Sequence, residues 1–501
     1  MAECFPIVLS FVCIVYDTSG LTNWILRIRN VALRSRVPFM SNILRQRVTS
    51  IASSSGNSAP SAASQPTSGP ETGNPKRLFT PLTIWLVLFF AINCFAINAA
   101  LHLMGFSSTA LDCSLEFYRK DCKLADSWGS MRWAMNYIHE NPGMDCYDNL
   151  FVRRPIKFQY PPTSLLWLEP LHGSGLDSDK ALNKVSRNAL ILAALVVACI
   201  YCLSLKRYVW CDGSHAWPDK AVNSMLALCF AFTFYPWMWS YHLGQIQSWI
   251  DLFFACLVLA WITGWKGLAG VFVALICTIK PQLGLMVIWA LWRRQWRFAA
   301  GWGIIFVPFL ALSVFKYGFP LHEEYVKVLS FLTSHGESYC RNQSVNGILH
   351  RLIFNGKNLA RRNLYFPPYN TWVHAGTVIS SFFILAVAFF WRRKEHEKAE
   401  TTDMMIAALS FTMAAPVVWE HHYGIVLPMF AVVLPLTLAK RNLRGWLVAL
   451  VVSYFLLSNY FPFTDCLAAT CFNIFQSYWF FGGLLLLVYL YLLRNTQQSV
   501  D

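Results

Sequence analysis

A small set of residues in this 501-residue chain has types and settings suited to chemistry. Asp126 opens a helical pattern in which Trp128, Met131, Met135 and Ile138 recur on one face. A carboxylate there can cap free backbone amides or serve as a general base. Lys280 is a lone positive charge inside the apolar run 267–292. Such a charge needs a partner, and an anionic phosphate or a distant acid would serve; a lysine that snorkels to the boundary is the other reading. His421-His422, after Trp419-Glu420, border another apolar run. They could donate to or titrate against a phosphate, or lie as interfacial residues among aromatic neighbours. Arg351 could fork onto a phosphate. Gln245 could place its amide against a hydroxylated ligand. Tyr160, Asn342 and Gln343 are further candidate substrate contacts. Asn342-Gln343-Ser344 also reads as an N-glycosylation sequon. The chain has no GxGxxG, P-loop, G-x-S-x-G or H-E-x-x-H pattern, and among its 15 cysteines the one C-x-x-C spacing, Cys199-Ile200-Tyr201-Cys202, lies inside an apolar run with no second pair to complete a metal site. Neither a metal nor a cofactor is therefore expected.

These residues must be positioned by membrane helices. Only 13% of residues are charged and 56% are hydrophobic, whereas soluble domains carry roughly 25% charge. That excludes an ordinary cytosolic enzyme. The net charge of +15 fits Lys and Arg clustered in cytoplasmic loops better than nucleic-acid binding. Spans are expected at 79–101, 188–207, 220–241, 245–262, 298–315, 371–390, 403–418, 423–439, 445–461 and 474–493. The run 267–292 is interrupted by Lys280-Pro281, and a hairpin of two half-length helices there keeps Arg293 and Arg294 inside. The total is about twelve segments in an all-α polytopic membrane protein, with residues 76–495 forming the membrane domain.

This alternation leaves two long outer loops, 102–187 and 316–370, of which the first carries amphipathic helices. It also gathers Gln245, Lys280 and His421-His422 on the same non-cytoplasmic face. Phe158-Gln159-Tyr160-Pro161-Pro162 reads as the start of a re-entrant or interfacial helix. Cys113, Cys122, Cys146, Cys340, Cys466 and Cys471 fall outside, with their pairing open. Residues 1–75 form an Arg-rich and then Ser/Ala/Pro/Gly-rich extension. It is expected to be disordered from Ser50 to Pro70, and a misassigned start codon would also explain it. Residues 496–501 form a short tail. Every inside loop is too short for a nucleotide-sugar domain, so a transferred group must reach the site through the membrane.

The ordered set of Asp126, Phe158-Gln159-Tyr160-Pro161-Pro162, Gly244-Gln245-Ile246-Gln247, Ile279-Lys280-Pro281, Asn342-Gln343-Ser344 with Arg351, and Trp419-Glu420-His421-His422 resembles glycosyltransferase family 87. The resemblance implies a GT-C fold, with amphipathic loop helices over a lipid-facing cavity in the cytoplasmic membrane. It implies inverting transfer of a hexose, mannose in its polyprenyl-phosphate-dependent members, to a lipid or glycan acceptor at the outer face. By this likeness Asp126 would be the general base. Lys280, Arg351, His421 and His422 would hold the donor phosphate. Tyr160, Gln245, Asn342 and Gln343 would contact substrate. Glu420 departs from the pattern by placing an acid beside the histidine pair, and the long N-terminal extension is a second departure. A transporter or flippase of a lipid-linked sugar is the rival reading, and a non-catalytic lipid-binding assembly protein is another.

Overall fold

The computed structural model describes residues 79–106, 109–119, 125–154, 156–210, 216–359, 366–391 and 400–496. The N-terminal extension, Cys122 and the C-terminal tail expected from the sequence lie outside them. The described residues contain no β-strand; the one strand-like contact is an isolated bridge between Asn342 and Trp419. The all-α membrane class is therefore found.

The first helix, α1 (Pro81–Leu103), starts where Thr80 accepts a hydrogen bond from the Thr83 amide and Pro81 sets the first helical turn. Two short helices follow, α2 (Ala110–Arg119) and α3 (Asp126–Glu140). On α3 Trp128, Met131 and Met135 are wholly buried, as their helical spacing requires. Pro162–Trp167 forms a single 3-10 segment.

Helix α4 (Asp179–Tyr208) begins well before the expected 188. Ser178 caps it by accepting from the Ala181 amide, and Arg132 pairs with Asp179 in its first turn. Its polar first turns extend a helix that hydropathy sees only where it turns apolar. The connection between α1 and α4 is correspondingly shorter than 102–187, and its described residues are largely helical.

Next come α5 (Trp217–Phe232) and α6 (Tyr235–His242), bent by 46° at their junction, then α7 (Gln247–Ile262). After these, α8 (Lys266–Ile279) and α9 (Leu285–Trp292) flank the Lys280-Pro281 break, and α10 (Trp296–Tyr317) follows. The chain reverses at that break. The first turns of α8 and α10 lie against each other: a Cβ on Gly301 would stand 2.0 Å from the Gly267 carbonyl oxygen, and one on Gly270 2.0 Å from that of Phe298. Only a return path brings residue 296 back beside residue 267. Trp289 on the returning helix also meets Trp261 at the far end of α7, with ring centroids 5.7 Å apart. The hairpin thus keeps its tip, Lys280, at the opposite end from Arg293 and Arg297.

The remaining helices are α11 (Phe319–His335), α12 (Val345–Leu352), α13 (Thr371–Phe390), α14 (Glu400–Met413), α15 (Val426–Ala439), α16 (Leu447–Ser458) and α17 (Tyr478–Thr496). Among the described residues, six helical stretches are long and apolar enough to cross a bilayer, or seven with the bent α5–α6 pair. Of the other expected segments, 245–262, both arms of the hairpin and 445–461 coincide with shorter apolar helices, and 403–418 overlaps α14, which carries Asp403. A charged cluster holds the hairpin's return: Asp403 on α14 accepts from Arg494 at 2.8 Å and forms an ion pair with Arg293 at 3.0 Å. Among the described cysteines none is bridged; Cys113, Cys146 and Cys340 are buried thiols, while Cys466 and Cys471 are exposed.

Candidate active site

A cavity of about 680 Å³ opens where the N-terminus of α3, the α6–α7 turn, the hairpin tip and the segment 415–422 meet. Its volume lies within the range of small-molecule sites. Asp126, Tyr160, Gln245, Lys280, His421 and His422 all line it.

Backbone contacts set Asp126 in place. Its amide donates to the Leu243 carbonyl at 3.0 Å, and the Ser127 hydroxyl accepts from the Ile246 amide at 2.6 Å. The first turn of α3 is thereby stitched to the α6–α7 turn. The carboxylate does not cap α3; no side-chain bond caps that helix. Instead Asp126 Oδ2 accepts from Gln245 Nε2 at 2.5 Å, and Gln245 Oε1 accepts from the Tyr160 hydroxyl at 3.1 Å. The phenol therefore fixes which way the amide faces, and the amide donates to the carboxylate. Burial raises the Asp126 pKa above the ordinary 3.8, opposed by the Gln245 bond and by the charges of Lys280 and Lys157. Tyr160 and Gln245, expected as substrate contacts, line the cavity and are joined to Asp126 by this chain of hydrogen bonds.

Lys280 sits at the tip of the hairpin with extended backbone. The tip is clamped by the 3-10 segment: Thr163 Oγ1 donates to the Thr278 carbonyl at 2.7 Å and Trp167 Nε1 to the Thr278 hydroxyl at 2.8 Å. The re-entrant or interfacial helix expected at Pro161-Pro162 is thus a 3-10 segment that holds the hairpin tip. Lys280 Nζ donates to Gln247 Oε1 at 3.0 Å and to His422 Nε2 at 2.6 Å. Both partners are neutral acceptors, and an ammonium has a third donor. Accepting at Nε2 leaves the His422 proton on Nδ1, which has no protein partner, and neither ring nitrogen of His421 has one. Buried polar atoms without partners are rare. Here they border a cavity with a cation at its edge, a suitable place for phosphate oxygens.

The histidines reach this position through a local tie. Gln343 donates its amide to the Val418 carbonyl at 2.6 Å, and the Val418 amide donates to Asn342 Oδ1 at 3.0 Å. The 3-10 turn Glu420–Ile425 follows. Gly424 lets it press onto α7, since a Cβ there would stand 2.3 Å from Asp251 Oδ1.

Three expected site residues do not line the cavity. Arg351 is buried and donates to the carbonyls of Tyr339 and Asn342 and to the Ser477 hydroxyl. Asn342 is fully buried and donates to the carbonyls of Glu337 and Pro416, which also closes it as a glycosylation site in the folded chain. Gln343 donates to the carbonyls of Cys340 and Gln476. Most of their polar groups are bonded to backbone, and they stand behind the cavity wall.

Two cations that sequence reading passed over line the cavity instead. Arg341 faces Glu420 at 3.8 Å, lies 4.1 Å from the Tyr460 ring centroid and donates to the Tyr235 hydroxyl. Lys157 pairs with Glu337 at 3.1 Å. Arg341 stands directly before Asn342 in the sequence, but its partners are remote in the chain. Asp251, which accepts from Gln247 Nε2 at 3.0 Å behind Lys280, was legible as an acid within an apolar run.

Comparison with curated proteins finds no match. The model of glycosyltransferase family 87 matches residues 158–418, slightly more than half the chain. The match takes in Tyr160, Gln245 and Lys280 and stops short of Asp126 and the histidine pair. With this match and its membrane helices, the chain belongs to glycosyltransferase family 87.

Proposed function

We propose that this protein transfers a hexose, mannose by analogy with the family's polyprenyl-phosphate-dependent members, from a polyprenyl-phosphate donor to a lipid or glycan acceptor, with inversion. The observation that carries this reading is one cavity bordered both by a buried, oriented carboxylate, Asp126, and by a lysine with a spare donor beside partnerless imidazoles. Asp126 takes the proton from the acceptor hydroxyl as its oxygen attacks the anomeric carbon. The bond from that carbon to the phosphate oxygen breaks, and the electron pair leaves with polyprenyl phosphate. Lys280, with His421 and His422, meets the second negative charge that develops there. Attack from the face opposite the phosphate inverts the anomeric carbon.

The distribution of cations supports a site on the non-cytoplasmic face of the cytoplasmic membrane. Lys206, Arg207, Arg293, Arg297, Lys440 and Arg494 fall at the helix ends opposite the cavity, where the positive-inside rule puts the cytoplasm. In this reading the twelve apolar segments form a GT-C-type bundle, the shorter ones covered by neighbours.

The test uses purified full-length protein with labelled mannose supplied either as undecaprenyl phosphate mannose or as GDP-mannose. Label passing to acceptor from the lipid donor alone is expected. Transfer from the nucleotide sugar alone would refute the donor assignment.

A further inference from the structure

The charges bordering the cavity are unevenly spread. Lys280 has only neutral hydrogen-bond partners. Among the described residues it is the cavity cation without a carboxylate at ion-pair distance, since Arg341 faces Glu420 and Lys157 pairs with Glu337. A phosphate can bind Lys280 without displacing an acid. At Arg341 or Lys157 it would have to displace one.

Away from Lys280, the cavity's surroundings hold three carboxylates, Asp126, Glu420 and Glu337, against the two cations Arg341 and Lys157. Glu420 and Arg341 stand 3.8 Å apart and line the same cavity as Asp126. Glu420 is 2% exposed. Its Oε2 has no aligned hydrogen-bond partner, although the Trp239 indole lies beside it. Arg341 cannot swing away to release its charge, because the rings of Tyr460, Trp239 and Trp479 surround it. A buried carboxylate oxygen without a partner, next to a fixed guanidinium and aromatic rings, matches the hydroxyls of a sugar: one can donate to Glu420 while another accepts from Arg341. A negatively charged group there would meet an excess of carboxylates.

We infer that Glu420 and Arg341 form the acceptor subsite, and that the acceptor group bound there is a neutral sugar ring and not an anionic headgroup. This rests on the proposed transferase reading and adds the acceptor's chemical class to it.

The experiment compares octyl mannoside with octyl mannuronoside, which share a ring and differ by one carboxylate, using undecaprenyl phosphate mannose as donor. Wild type and Glu420→Gln are each assayed for kcat/KM toward both acceptors, for donor KM and for release of polyprenyl phosphate. The expected result is at least a tenfold preference of the wild type for the mannoside. Glu420→Gln should narrow that preference severalfold and raise the mannoside KM about tenfold while leaving donor KM unchanged. The unchanged donor KM also reports a folded variant, and Glu420→Asp should retain part of the preference. A preference for the mannuronoside, a ratio that Glu420→Gln does not move, or a change confined to donor KM would each overturn the inference. Transfer to neither glycoside overturns it too, and release of polyprenyl phosphate in the same samples shows whether the transferase reading falls with it.

Discussion

Replacing Lys280 with alanine removes the cation proposed to hold the donor phosphate. Its ammonium is held at the hairpin tip by Gln247 at 3.0 Å and His422 at 2.6 Å. A phosphate oxygen about 4 Å from that charge gains about 4 kcal/mol at an effective dielectric constant near 20. Water entering the vacated space and the imidazole beside it would recover part of this. A net loss of about 2–3 kcal/mol remains, in line with hydrogen bonds to charged groups. At about 1.4 kcal/mol per tenfold, that is roughly a 30- to 150-fold fall in kcat/KM for the donor. The loss should appear in both parameters. The donor phosphodiester already carries one negative charge, so its KM rises; the leaving phosphate gains a second, so kcat falls. Steady-state transfer from undecaprenyl phosphate mannose measures this, with the thermal midpoint in detergent as a control for the broken bonds to Gln247 and His422. A Lys280→Ala protein that folds normally and stays within threefold of wild type would refute the assignment of Lys280 to the donor phosphate.

As the proposed base, Asp126 must be ionised, so activity should fall as pH drops through its pKa, which burial raises above 3.8. The Gln245 amide favours the ionised form; Gln245→Leu should therefore shift the acid limb of the pH–rate profile upward, and a limb that stays in place would rule out this orienting role. Gly301→Val forces a side chain into the Gly267 carbonyl, whereas the neighbouring Gly303 has open space around it. The first substitution should lower stability by about 3 kcal/mol or more and Gly303→Val should not, as thermal unfolding in detergent will show. Arg351→Met strands buried carbonyls, at about 2–4 kcal/mol; the folded fraction should keep its wild-type donor KM, because the guanidinium does not line the cavity.

Much of the fold was legible because apolar length and Lys/Arg placement act locally. The break at Lys280-Pro281 is an example: a charge and a proline in one apolar run leave few alternatives to a reversal. The start of α4 was misplaced, because Asp179, Lys180 and Lys184 belong to a helix but contribute nothing to hydropathy. In the site, Asp126, Lys280 and the histidine pair stood out as polar groups in apolar or aromatic settings. Arg351, Asn342 and Gln343 stood out for the same reason, yet they face backbone carbonyls. Sequence shows that a buried polar group needs a partner, not whether the partner is protein or ligand. Arg341 was missed because Glu420, Tyr460 and Trp479 meet it only after folding. The bond of Gln245 to Asp126 was not legible, since it joins helices far apart in the chain.

The central claim is that Asp126 is the general base for sugar transfer from a lipid phosphate. It is tested most directly by Asp126→Asn, which keeps the side chain's shape and a hydrogen-bonding partner for Gln245 while removing the basic oxygen. Loss of a general base lowers rates by about 10²–10⁴-fold. Transfer of labelled mannose from undecaprenyl phosphate mannose should fall by that factor with donor KM little changed. Wild-type-like transfer by a correctly folded, membrane-inserted Asp126→Asn protein would contradict it.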